Sequence, residues 1–128
     1  MPQITALYAG LTALILVALS FRVSMFRLRH NVSYSDGGNN RLANAIRLQA
    51  NLTEYAPMAM ILLLLLELQA APGWSIHLFG LMFLLGRLLH GVGYGRNPPI
   101  PALRKYGMVL TYAMLTTAGI TTLVFALR

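Results

Sequence analysis

The sequence predicts an all-α integral membrane protein, a bundle of four helices crossing a lipid bilayer, and three observations carry that expectation. The 128 residues are 57% hydrophobic but only 10% charged, where a soluble domain carries about 25% charged residues. The apolar residues fall into four runs of membrane-crossing length. The basic residues gather at the ends of those runs. A small domain exposes much surface per unit of core, and this chain has too few charges to keep that surface in water, so lipid must cover it. The length suits a single domain over residues 1–128. Cysteine is absent, which removes disulfides and thiolate metal sites, so any thiol chemistry needs a thiol brought by a substrate. The net charge of +7 does not indicate a nucleic-acid partner, because the cations flank apolar runs and do not interleave with exposed aromatics.

The first run extends from Ile4 to Phe21 and is apolar apart from Thr5, Thr12 and Ser20. At 1.5 Å per residue it spans roughly 27 Å, close to the hydrocarbon thickness. No basic stretch precedes it and no small-residue cleavage site is evident, so it reads as a retained helix and not as a secretory leader. Residues 22–41 then read as a loop carrying Arg22, Arg27, Arg29 and Arg41. Its turn is Asp36-Gly37-Gly38-Asn39, where glycine reaches positive φ without steric cost.

The second helix, from about Arg41, has two parts. It is amphipathic to Tyr55 and solidly apolar from Pro57 to Leu66. Pro57 removes one backbone donor and predicts a kink. The polar half cannot face lipid and must face protein or a polar cavity. Pro72-Gly73 closes a short turn. The third helix runs from Trp74, an interfacial aromatic anchor, to Tyr94. The connection 95–105 contains Pro98, Pro99 and Pro101, and the fourth helix extends from about Ala102 to Leu127. The first and last connections are basic and the middle one carries no Lys or Arg. The positive-inside rule therefore puts loops 22–41 and 95–105 in the cytoplasm and both termini on the opposite side.

Arg47, Asn51, Glu54 and Tyr55 stand at i, i+4, i+7 and i+8, one face of the second helix, with Gln49 beside them. Arg87, His90 and Tyr94 stand at i, i+3 and i+7 on the third helix and point to the same end of the bundle. Arg104 starts the fourth helix there. Spacing alone allows two readings. One is an interhelical hydrogen-bond network holding the bundle together. The other is a ligand site, in which a guanidinium fork takes a carboxylate, a carboxylate takes an ammonium, and an amide pairs with peptide groups. Such a set suits a small zwitterionic, peptide-like ligand. Arg96 and Lys105 read as solvated topology charges, and the methionines, Met108 among them, as packing. Thr111 and the other threonines of the fourth helix read the same way. His30 and His77 stand isolated, and no metal-ligand spacing, Walker or Rossmann pattern is present.

The run Arg47-Leu48-Gln49-Ala50-Asn51-Leu52-Thr53-Glu54-Tyr55-Ala56-Pro57 resembles the second-helix signature of the MAPEG superfamily, the membrane-associated proteins in eicosanoid and glutathione metabolism. Arg87-Leu88-Leu89-His90-Gly91-Val92-Gly93-Tyr94 is similar to that family's third-helix motif, and Phe21-Arg22-Val23-Ser24 to the end of its first helix. The Asp36–Asn39 turn and the short chain resemble the bacterial branch, which implies a bacterial inner membrane. The resemblance covers nearly the whole chain and implies a homotrimer with glutathione held between neighbouring subunits. Arg47, Gln49, Asn51, Glu54 and Tyr55 would hold it from one subunit. Arg87, His90, Tyr94 and Arg104 would do so from the next. The family's arginine near the end of the first helix has no counterpart in register, because Arg22 falls about a turn later.

The activity so implied is that of a membrane-bound glutathione transferase, with possible peroxidase chemistry, acting on a lipophilic small-molecule substrate. Arg104 would stabilise the thiolate and Tyr94 would donate a hydrogen bond to it. Not every member of the family is an enzyme, so a non-catalytic membrane protein binding a lipid or a small peptide-like ligand is the alternative.

Overall fold

The computed structural model describes residues 1–128 and consists of four helices: α1 (Gln3–His30), α2 (Asn40–Leu68), α3 (Gly73–Gly95) and α4 (Pro101–Ala126). All four are long and apolar enough to cross a membrane. The order, the number and the two short connections agree with the sequence reading, but the first boundary does not. Residues 22–30, expected in the loop, form the last turns of α1. Arg27, Arg29 and His30 sit in its final turn, where cations complement the exposed carbonyls. Asn31 ends the helix with φ of 53°, and the Val32 N–H reaches back to the Arg27 carbonyl at 3.0 Å. This is the hydrogen-bonding pattern of a Schellman stop. The first loop is therefore short. Asp36 accepts the Gly38 N–H at 2.9 Å, and Asn39 caps α2 by accepting from the Arg41 and Leu42 N–H groups at 3.0 and 3.2 Å. The second basic connection is short, as expected: α4 begins at Pro101, whose fixed φ suits a first helical position.

Pro57 does not interrupt α2, which continues to Leu68. The core lies where α2 and α3 meet the middle of α1 and α4. Leu52, Ala59, Leu63, Leu66, Ile76, Phe83 and Met114 are buried there. Outside this seam the helices are apolar and exposed along their length, at Leu7, Leu14 and Val17 on α1, Leu81, Leu85 and Leu88 on α3, and Val109, Ile120 and Leu123 on α4. Continuous apolar surface of this extent is stable only against lipid or another protein.

α3 and α4 approach most closely, and glycine permits it. A Cβ on Gly107 would stand 2.6 Å from the Gly86 carbonyl oxygen and 2.6 Å from the His90 nitrogen. A Cβ on Gly93 would stand 2.6 Å from the Arg104 nitrogen. This near-contact of backbones, usual where membrane helices pack through small residues, sets the start of α4 directly against the turn carrying His90 and Tyr94.

At the other end of the bundle Glu67 accepts the N–H groups of Ile4 at 2.9 Å and Thr5 at 2.6 Å. One turn further in, the Tyr8 hydroxyl donates to the His77 carbonyl and also faces its Nδ1, each at 3.1 Å. His77, isolated in the sequence, is thus tied to α1.

Candidate functional site

At the basic end, α2, α3 and α4 surround a concavity of about 490 Å³, lined by Arg47, Asn51, Tyr55, His90, Tyr94 and Arg104 together with Pro101, Lys105, Met108 and Tyr112. The two groups expected to come from neighbouring subunits therefore line one hollow of a single chain. Arg87 and Tyr112 tie α3 and α4 to Asn51 and Tyr55 on α2, and the α3–α4 approach at Gly93 brings Arg104 beside the turn that carries Tyr94. The site extends onto α4 beyond what spacing suggested. Lys105, Met108 and Tyr112, spaced i, i+3 and i+7, line it too, although the first was taken for a topology charge and the second for packing.

Three of the expected residues stand outside the walls. Gln49 points away, its amide donating to the Ser20 hydroxyl on α1 at 3.3 Å. Glu54 lies at the rim, paired with Arg47 at 3.0 Å. Both partners are about half exposed, so the pair is weak and open to exchange with a charged ligand. Arg87 lies beneath the surface, only 5% exposed.

Arg87 organises the wall from behind. Its Nη1 donates to Asn51 Oδ1 at 2.5 Å and its Nη2 to Thr111 Oγ1 at 2.6 Å. The Thr111 hydroxyl donates in turn to the Gly107 carbonyl at 2.9 Å. The Nη2 group also meets Met108 Sδ at 3.2 Å. The guanidinium carbon lies 5.5 Å from the centre of the Tyr55 ring and 5.9 Å from that of Phe83. No carboxylate is bonded to it, so Asn51, Thr111 and the aromatic faces carry the stabilisation of a cation at membrane depth. With one lone pair of its oxygen taken by Arg87, the Asn51 side chain keeps both N–H donors for a ligand. Thr111, taken for helix packing, is a member of this network.

His90 is 3% exposed. Its Nδ1 stands 3.3 Å from the Arg104 carbonyl, and a carbonyl only accepts, so Nδ1 carries the proton. Its Nε2 is buried without a protein partner, a polar atom of the kind a ligand or water satisfies. The rings of His90 and Tyr94 lie 5.0 Å apart, edge to face. The Arg104 guanidinium carbon lies 4.9 Å from the centre of the Tyr94 ring. Opposite, the Tyr55 and Tyr112 hydroxyls meet at 3.1 Å.

Sequence comparison gives the family. The sequence pattern of the MAPEG family matches residues 5–124, which takes in all four helices and every residue of the hollow. The chain belongs to the MAPEG family. Among the relatives of this MAPEG chain is Escherichia coli inner membrane protein YecN. It is 40% identical over 113 residues, which cover 88% of this chain and 85% of that protein. The protein of the same name from a second Escherichia coli strain matches equally. As a MAPEG protein the chain offers cations, hydroxyls and amide donors around one hollow, and no group of His, Cys, Asp or Glu placed to hold a metal ion.

Proposed function

We propose that this protein is a glutathione transferase of the inner membrane that conjugates lipophilic electrophiles, with peroxide reduction as a second reaction of the same thiolate. The observation that carries this reading is the single hollow holding Arg47, Asn51, Tyr94 and Arg104 beside an apolar, lipid-facing exterior. Glutathione is the thiol co-substrate. Arg47 exchanges its partner Glu54 for a glutathione carboxylate, Glu54 and the Asn51 amide take ammonium and peptide groups, and Tyr55 and His90 Nε2 close the remaining contacts. The Arg104 guanidinium favours the thiolate over the thiol, and the Tyr94 hydroxyl donates to the sulfur. In conjugation with a chloronitrobenzene the thiolate attacks the ring carbon, a C–S bond forms and chloride leaves. In peroxide reduction two glutathiones give a disulfide while the peroxide O–O bond is reduced to alcohol and water.

The functional unit is a homotrimer with the basic end in the cytoplasm. The hollow is open on one side, and Gln49 with Ser20 forms a polar pair on the α1–α2 face, available to close a neighbour's site. Purified protein should conjugate glutathione to a chloronitrobenzene, and Arg104→Ala should lower the rate by about 10²-fold, the loss expected of a group that stabilises developing charge. Equal rates would remove Arg104 from the chemistry. Glutathione at 100 times its Kd should add about 2.7 kcal/mol of stability, and no shift in melting at millimolar glutathione would overturn the pocket.

One observation favours a second reading, a non-catalytic ligand-binding protein. Arg104 is stacked on Tyr94 and Arg47 is paired with Glu54, so both cations already have partners. Stabilisation by glutathione without turnover would select it.

A further inference from the structure

We propose that Arg22, Arg41 and Arg96 form a phosphate-binding pocket distinct from the Arg47 hollow. A cavity of about 390 Å³ opens between the last turns of α1, the first turn of α2 and the α3–α4 loop. Its walls hold these three guanidiniums, the Asn44 side chain and the rings of Phe26 and Tyr94, and contain no carboxylate.

The charge is not answered elsewhere in the chain. The sequence has three acidic residues. Asp36 is turned onto the Gly38 N–H, Glu54 is paired with Arg47, and Glu67 caps α1 at the opposite end. The one acceptor bonded to the three guanidiniums is the Gly95 carbonyl, 3.5 Å from Arg22 Nη2. Arg22 also lies 5.8 Å from the centre of the Phe26 ring, which holds its plane against the cavity wall. Arg41 and Arg96 are exposed and keep their donors free.

Three like charges around one cavity repel one another, and an anion among them reverses the sign of that energy. The fork of a guanidinium matches two oxygens of a phosphate. A carboxylate has two oxygens and engages one fork fully, whereas a phosphate has enough to meet several. The first turn of α2 adds its positive dipole end, because Asn40 and Arg41 line the cavity there. The cavity sits among the ends of membrane-crossing helices. A phosphodiester headgroup and a soluble phosphomonoester offer the same chemistry. This inference does not depend on the thiol reading of the neighbouring hollow, although Tyr94 is a wall of both.

The test uses full-length protein in an uncharged detergent with two probes. Phosphatidylglycerol retention is measured by native mass spectrometry and glycerol 3-phosphate binding by titration calorimetry. Three proteins are compared: wild type, Arg41→Gln/Arg96→Gln, and Arg27→Gln/Arg29→Gln, which removes the same charge from the same end but outside the cavity. Each lost guanidinium, charge and fork together, should weaken binding by about tenfold, or about 1.4 kcal/mol. The cavity variant should therefore lose about a hundredfold while the control stays close to wild type. Loss confined to phosphatidylglycerol identifies a lipid headgroup as the source, and loss of glycerol 3-phosphate binding, alone or with the lipid, identifies a soluble phosphate. Equal losses in the two double variants, or no saturable binding of either probe to wild type, overturn the pocket. The Arg41 and Arg96 side chains are exposed and bond to no protein group, so their substitution should leave the melting temperature unchanged. A second variant, Arg41→Lys/Arg96→Lys, keeps the charge and loses the forks. It should bind between wild type and the Gln variant, and binding as weak as that of the Gln variant would assign the effect to packing and reject the pocket.

Discussion

Replacing Gly107 by alanine tests whether the α3–α4 approach builds the site. A methyl group there would lie 2.6 Å from both the Gly86 oxygen and the His90 nitrogen and 2.9 Å from the His90 Cβ, where ordinary contact begins at 3.4 Å. Two of these are backbone atoms and cannot rotate away, so the helices must part by several tenths of an ångström. Overpacking of this kind costs typically 1–3 kcal/mol. Alanine also favours the helix over glycine, by about 1 kcal/mol. The clash offsets that gain, and Gly107→Ala should be destabilised by up to about 2 kcal/mol once the two effects are combined. Gly119 lies on the same helix with nothing within 4 Å of an added Cβ. Gly119→Ala therefore keeps the propensity gain without the clash and should be stabilised by up to about 1 kcal/mol. Thermal unfolding of both variants in one detergent reads the difference directly. A Gly107→Ala protein as stable as Gly119→Ala would refute the claim that backbone proximity of α3 and α4 holds the hollow in shape.

Two further substitutions probe the polar groups that the bundle buries. Arg87→Lys keeps a cation but cannot reach Asn51 and Thr111 together. One of them loses its donor, and the protein should lose about 1–3 kcal/mol, so an unchanged melting temperature would show that the network is not required. Glu67→Gln leaves one oxygen for the two N–H groups of Ile4 and Thr5 and removes a charge from the positive end of α1. It should destabilise by about 1–2 kcal/mol and would be rejected as a cap by a melting curve matching wild type.

Much of the fold is legible in the sequence because lipid imposes long apolar runs and prolines and glycines separate them. The end of α1 is not, because polarity marks where a helix leaves hydrocarbon and not where it stops. Arg22–His30 are polar enough to read as a loop yet are finished as helix by the left-handed Asn31. The faces of α2 and α3 are legible from helical spacing, and the hollow contains Arg47, Asn51, Tyr55, His90 and Tyr94 as that spacing suggests. Spacing cannot distinguish a residue that lines a wall from one that supports it. Arg87 shares the face of His90 but lies under Asn51, and Gln49, two residues from both Arg47 and Asn51, turns to Ser20. The part played by Tyr112 and Lys105 depends on how α4 sits against α3. Two glycines set that contact, and their meaning emerges only when the helices are placed together.

The Glu67 cap bears on how the chain enters a membrane. The first four N–H groups of α1 belong to Gln3, Ile4, Thr5 and Ala6. The first and last are met by the nearby Met1 and Pro2 carbonyls, but Ile4 and Thr5 are met only by a carboxylate from the last turn of α2. During synthesis that acceptor emerges some sixty residues after the donors that need it, since Glu67 is separated from Ile4 by 63 positions. α1 alone therefore has two unmatched polar groups at its leading end, and the α1–α2 hairpin is the shortest nascent segment in which that end is complete. Assembly of this bundle should accordingly proceed by the insertion of a helix pair, with the outer end of α1 remaining at the water interface until α2 has crossed.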